Sequence, residues 1–209
     1  MAMIAAANGI TRIVATPHVT ELREEDLVRF ADGIKNLKAC LEERAIPVEL
    51  LGGAEVSAFL DPARLKDYTI NKTRYILIEF PRTHTPKKAN EIVFNFVVAG
   101  YRPIIVHPER NSSVIRDPGI LFDMVDSGGL VQITADSLTG RFGPNEQACA
   151  AYILRKGLVS FMSSDAHSAN GRPPVLSKGL EMASSIIGKK RALALVTVNP
   201  EAVIRGKQL

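Results

Sequence analysis

Six side chains able to bind a metal ion stand where apolar segments of this sequence stop. His18 follows the run in "RIVATPH", Glu55 closes "LLGGAE", and Glu79 lies at the end of "YILIEF". His107 opens "HPER" after another apolar run, and Asp165 and His167 close "VSFMSSDAH". The chain has four histidines, and three of them belong to this set. Imidazoles mixed with carboxylates suit transition ions such as manganese, zinc or iron. The set offers more donors than one ion needs, so a cluster of two or more ions is expected. Two ions about 3.5–4 Å apart are a standard arrangement for displacement at phosphorus. Arg110 stands three residues after His107, and Arg172 lies in "SANGRPP". Their guanidinium groups can hold phosphate through paired hydrogen bonds.

Each residue also has an ordinary structural reading. A histidine can be hydrogen-bonded in a core, Glu79 can pair with an arginine, and Glu55 can be a loop acid. Asp165 can cap a helix before "AHSAN", and either arginine can pair with local acids. Taken together, acids and imidazoles fall at five of six strand ends, and that joint placement favours the site. His84, in "PRTHTPKK", fits no strand end and reads as a loop residue. "CAAYILR", Cys149 to Arg155, has the Cys-x5-Arg spacing of cysteine-dependent tyrosine phosphatases. That chemistry needs a glycine-rich phosphate cradle. The residues between are Ala-Ala-Tyr-Ile-Leu, a helix sequence, so Cys149 reads as a packed core residue.

The elements that must position these groups repeat in style. An apparent helix ends in glycine, and an apolar strand follows, as in "AAANGITRIVATPH", "FVVAGYRPIIVHPE", "VDSGGLVQITADS" and "LRKGLVSFMSSDAH". Continuous apolar runs suit parallel strands buried on both faces. Six are expected: Arg12–Thr16, Val48–Gly52, Tyr75–Phe80, Pro103–Val106, Val131–Thr134 and Val159–Met162. Their spacing is about 30 residues, the length of one strand–helix–strand unit. Amphipathic stretches such as "EEDLVRFADGIKNLKACLEER" lie between them. An α/β barrel in one domain, residues 1–209, is the expected architecture, with an open doubly wound sheet as the alternative. In such barrels the C-terminal strand ends share one face, where active sites sit.

Composition excludes several classes. Apolar residues make up 46% of the 209 and charged residues 23%, an ordinary globular balance. The formal charge is +4, and its one dense basic run is Lys189-Lys190-Arg191, with no aromatic interleaving. Nucleic-acid binding is therefore not expected. No apolar run approaches the ~18 residues of a membrane span, and "MAMIAAANGI" is not built like a signal peptide. Cys40 and Cys149 match no zinc or redox spacing, which suits a reduced, cytoplasmic setting.

The ordered set "TPH", "GAE", "LIEF", "HPER", "SSDAH" and "GRPP" resembles the bacterial tyrosine phosphatases of the polymerase-and-histidinol-phosphatase (PHP) superfamily. Those enzymes act in capsular and exopolysaccharide synthesis. The resemblance covers nearly the whole chain. It implies a distorted seven-stranded, TIM-like α/β barrel holding up to three divalent metals, often manganese, with iron, zinc or magnesium as alternatives. By that match His18 and His167 serve one outer metal. Glu55 bridges the other two, Glu79 and His107 complete one of these, and Asp165 belongs to the remaining one. Arg110 and Arg172 match the residues that hold the substrate phosphate, and the implied substrate is the phosphotyrosine tail of a tyrosine autokinase.

Family members open with a strand carrying His-x-His, followed by a metal-binding acid. Here "MAMIAAANGI" reads as the end of the first helix, so that strand is missing from this chain. Either the protein is shortened or its start lies further upstream. A barrel without its first strand exposes two edges. Incomplete metal loading is expected, together with self-association through the gap or irregular backbone near residues 1–12. The leading expectation is a metal-dependent protein-tyrosine phosphatase. The alternatives are a small-molecule phosphatase of the histidinol-phosphate type and a degenerate, non-catalytic protein that binds metal or phosphopeptide.

Overall fold

The structure is a computed structural model and describes residues 1–209. A short helix, α1 (Ala2–Ala7), buries Ala5 and leads into β1 (Arg12–Ala15). Helix and strand thus occupy most of the stretch where irregular backbone was one of two expected outcomes. The chain continues through β2 (His18–Val19), α2 (Glu24–Glu43), β3 (Glu49–Gly52), β4 (Glu55–Ser57) and β5 (Tyr75–Glu79). Then come α3 (Ala89–Val98), β6 (Arg102–Val106), α4 (Ser112–Arg116), α5 (Gly119–Asp126) and β7 (Leu130–Thr134). Last are α6 (Ala135–Leu138), α7 (Pro144–Arg155), β8 (Phe161–Ser163), α8 (Ser177–Ile187), α9 (Lys189–Ala194) and α10 (Val198–Ile204).

Every strand pairing is parallel. β1 pairs with β3, and a six-stranded sheet runs in the order β2-β4-β5-β6-β7-β8. This is the expected α/β class, with the larger sheet open at β2 and β8. The four glycines read as helix ends, Gly9, Gly100, Gly128 and Gly157, all take positive φ. There a β-carbon would be strained, and glycine closes the turn into the strand.

All six expected strands are present, and the first two are each followed, beyond their expected bounds, by a further short strand. β1 and β2 are separated by Thr16-Pro17, and β3 and β4 by Gly53-Ala54. Pro17 has no N–H to give the ladder, yet its carbonyl accepts from Glu55 N–H at 3.0 Å. Gly53 N–H in turn donates to Ala15 O at 3.1 Å, so the two chains stay side by side through the break. The last strand starts two residues later than expected, at Phe161, although Ser160 N–H already pairs with Val131 O.

The central strands are buried on both faces, as their unbroken apolar runs require, whereas β1 and β2 are only partly covered. Ile76 and Ile78 of β5 join a large core with Val56, Ile105, Val131, Ile133 and Met162. Tyr75 and Leu77, the alternate residues, join a smaller core with Ile104, Val106 and Phe161. Helix α7 packs Cys149, Ala150, Ile153 and Leu154 inward at helical spacing, with Pro144 in its first turn.

One polar residue ties the loop after β5 to the loop after β6. Asn111 Oδ1 accepts from Ser113 and Val114 N–H, capping α4, and from Thr85 Oγ1. Its Nδ2 donates to Pro81 O at 2.7 Å and to His84 O at 3.2 Å. Asn111→Ala removes the cap and leaves buried groups unpaired. It is expected to lower stability by at least about 2 kcal/mol, read as a fall in the urea midpoint. An unchanged midpoint would show that water replaces these bonds at no cost.

Candidate metal centre and arginine pair

Parallel register sets the centre of the site. His18 opens β2 directly opposite Glu55, the first residue of β4. Glu79, the last residue of β5, is opposite Ser57, so it lies two residues further along. His107 follows β6 in a left-handed conformation, with φ +37°. These backbone positions bring two imidazoles and two carboxylates together. His18 Nδ1 lies 3.4 Å from Glu55 Oε1 and 3.3 Å from Glu79 Oε2. On the other side His107 Nε2 lies 3.1 Å from Glu55 Oε1 and 3.4 Å from Glu79 Oε1. The Glu55 and His107 side chains are each 7% exposed, whereas that of His18 is 49% exposed. The group is closed at the bottom and open at the top.

The donor atoms of His18, Glu55 and Glu79 lie within 4.8 Å of one another. Bonds of about 2.0–2.2 Å to one ion place tetrahedral or octahedral ligand atoms roughly 3.0–3.5 Å apart. The observed separations are of this size, so His18, Glu55 and Glu79 could hold an ion, with His107 adjacent. Burial pulls the His107 pKa down, but the hydrogen bond and charge of Glu55 outweigh it, and the net direction is up. A proton and a cation therefore compete for the same imidazole lone pair.

Asp165 and His167 lie after β8, beside this group. The His167 ring centroid is 5.9 Å from that of His18, and its Nδ1 is 3.6 Å from Asp165 Oδ1. Asp165 also takes the left-handed conformation, with φ +47°. Its Oδ2 accepts from both Arg110 and Arg172. The two arginines are thus paired with a local acid and placed next to the metal-type donors at once. Asp165 forms no helix cap, because residues 164–176 carry no helix. Glu79 pairs with histidines rather than with an arginine.

The loop carrying Arg172 is closed on itself. His167 and Ser168 N–H both donate to Arg172 O, and Ser168 Oγ accepts from Gly171 and Arg172 N–H. Both arginine Nε groups are buried without a hydrogen-bond partner.

Other titratable groups stand apart from the cluster. Glu109, between His107 and Arg110, turns away and is fully buried. Its Oε1 accepts from Thr134 N–H at 2.8 Å and Ser137 Oγ at 2.6 Å. Burial raises its pKa, and these two hydrogen bonds only partly oppose that. His84 sits on an exposed loop beside Thr83, outside the cluster. Arg82, which the strand-end motifs did not single out, feels the charges of the arginine pair without touching it. Although the residue is exposed, partial desolvation first, and then the charges of Arg110 and Arg172, lower its pKa, while Glu79 and Asp165 raise it. It follows Glu79 by three residues, the same offset that marks Arg110 after His107.

A family model described as capsular polysaccharide synthesis, CpsB/CapC, matches residues 1–205. The tyrosine-protein phosphatase YwqE of Bacillus subtilis (strain 168) is 31% identical over 214 residues, covering 100% of this chain and 84% of that protein. The tyrosine-protein phosphatase CpsB of Streptococcus pneumoniae is 26% identical over 209 residues, covering 94% of this chain and 85% of its own. A chain from the crystal structures of YwqE and CpsB, described there as unique metal-dependent tyrosine phosphatases, superposes with a TM-score of 0.92. It is 31% identical, and the match covers 100% of this chain and 86% of that one.

Cys149 lies in α7, not in a phosphate-binding loop, with its Sγ 3.9 Å from Val114 O. Burial pushes its thiol pKa up to about 12, helped by the charges of Glu109 and Glu146. In the native protein at pH 8, iodoacetamide is expected to modify the exposed Cys40 and spare Cys149. Mass spectrometry of the alkylated protein checks this. Equal labelling of both would show that Cys149 is reachable and ionised.

Proposed function

This chain belongs to the CpsB/CapC family of capsular polysaccharide synthesis, and from that membership we propose that it is a metal-dependent phosphatase acting on phosphotyrosine. The observation that carries the reading is the set of donor separations of 3.1–3.4 Å among His18, Glu55, Glu79 and His107, beside an arginine pair. Relatives at this level of similarity are named tyrosine-protein phosphatases, and the superposed structure is described as metal-dependent.

In this proposal His18, Glu55, Glu79 and His107 hold divalent ions, manganese being the family's usual choice. His167 would join His18 at the outer ion, and Asp165 would serve a further one. When bound, such ions supply a water acidic enough to attack phosphorus and positive charge for the phosphoryl oxygens. Glu55 and His107, buried and mutually hydrogen-bonded, fix the floor of the site. The exposed edge of His18 leaves the upper side open to solvent, where a substrate can approach. Arg110 and Arg172 bind the phosphoryl oxygens, and Asp165 holds both guanidiniums beforehand so that less ordering remains when phosphate arrives. A phenolate leaving group has a conjugate-acid pKa of about 10, so it departs with modest proton help.

The finer parts of the reading are proposed from the resemblance to the family. They are a distorted seven-stranded PHP barrel in one domain, the tail of a tyrosine autokinase as substrate, and a cytoplasmic site of action. No helix is long and apolar enough to cross a membrane.

A phosphotyrosine peptide should be hydrolysed with Mn²⁺ present, and EDTA should abolish this. Arg110→Ala and Arg172→Ala should each lower kcat/KM at least about tenfold, the loss of one charge-assisted hydrogen bond, while keeping their metal content. Turnover of histidinol phosphate in preference to the peptide would give the small-molecule reading instead. Full kcat/KM in both arginine variants would remove the phosphate assignment.

A further inference from the structure

The turn between α6 and α7, Gly140-Arg141-Phe142-Gly143, touches both phosphate-site arginines. The Phe142 ring centroid lies 4.6 Å from Arg110 Cζ and 5.6 Å from Arg172 Cζ. Arg141 Nη2 donates to Gly171 O, the carbonyl just before Arg172, while its Nη1 lies 3.4 Å from Asp136 Oδ2. The turn itself is tightly built. Arg141 N–H donates to Asp136 O and Gly143 N–H to Gly140 O. Both glycines have positive φ, and a β-carbon on Gly143 would come within 2.6 Å of Glu146 Oε2.

Two guanidiniums share one carboxylate oxygen, so they repel each other with only Asp165 between them. Neither Nε has a hydrogen-bond partner, so that bond does not fix either plane. The face of an aromatic ring attracts a guanidinium and favours stacking against it. Phe142 is the ring over which both of these cations lie.

We propose that Phe142 is a positioning residue for phosphate binding, its ring face holding the Arg110 and Arg172 guanidiniums in a common orientation toward the phosphate. Arg141 latches the Arg172 loop to the same turn. This inference rests on the reading that the two arginines hold the phosphate. It goes beyond that reading by giving the pair a shared aromatic support on a separate segment of the chain. Its mark is selective: phosphate affinity and KM should change, and metal content should not.

The test measures competitive inhibition by inorganic phosphate of the Mn²⁺-loaded protein hydrolysing a phosphotyrosine peptide. The variants are Phe142→Ala, Phe142→Leu, Phe142→Tyr and Arg110→Ala. Phe142→Ala should raise the phosphate Ki and the peptide KM by roughly five- to thirtyfold, the size of a cation–π contact of 1–2 kcal/mol. kcat should fall less, and manganese content should stay the same. Phe142→Tyr, which keeps the ring, should remain within about twofold of the parent. Phe142→Leu, which keeps bulk without the π face, should behave like alanine. If alanine does not fold, the leucine and tyrosine variants decide. A leucine variant matching the tyrosine one would show packing alone and overturn the inference. So would unchanged Ki in the alanine and leucine variants while Arg110→Ala raises it. An unchanged Ki in Arg110→Ala would instead bring down the phosphate reading, and this inference with it.

Discussion

Two carboxylates brought side by side on adjacent parallel strands, one opening β4 and the other closing β5, are the constraint on which the rest of the structure depends. Glu55 and Glu79 both lie within 3.4 Å of His18 and of His107. Like charges in a partly buried place raise each other's energy unless cations stand between them. The pairing of β2, β4 and β5 sets this proximity, because His18 faces Glu55 and Ser57 faces Glu79. A slip of one residue in either pairing would turn one member of the group to the opposite face. The two-faced apolar packing of Ile76, Ile78, Tyr75 and Leu77 makes such a slip costly. The core thereby positions the charges where a cation would offset them.

The site also stores backbone strain. His107 and Asp165 adopt left-handed conformations outside glycine, each costing on the order of 1–3 kcal/mol. In both cases the strained residue lies just beyond a strand and aims its side chain back toward the group. His107 reaches Glu55, and Asp165 reaches two arginines. Hydrogen bonding of the following segments offsets this cost. Asn111 holds the turn after His107, and Ser168 closes the loop after Asp165.

Much of this was legible in the sequence, for a physical reason. Strands buried on both faces need unbroken apolar runs, so a polar side chain just beyond one stands out. That logic located His18, Glu79, His107, Asp165 and His167, while the helix sequence around Cys149 set that residue aside. It placed Glu55 in a loop, whereas Glu55 begins a short strand of its own after the Gly53-Ala54 break. A residue's direction is less legible than its position. Glu109 shares a strand end with His107 but points into the core, toward Thr134 and Ser137. Arg82 and Phe142 depend on loops whose paths come from tertiary packing, and no local periodicity marks them. The glycines around Phe142 were the one visible signal of a tight turn there.

The central claim is that the four-residue group at the strand ends is a metal centre. Diffraction at the manganese edge from crystals of the protein soaked in Mn²⁺ tests it most directly. The account predicts an anomalous peak about 2.0–2.3 Å from His18 Nδ1 and from carboxylate oxygens of Glu55 and Glu79. Soaked crystals that hydrolyse phosphotyrosine yet show no peak there, or a peak only at other residues, would contradict it.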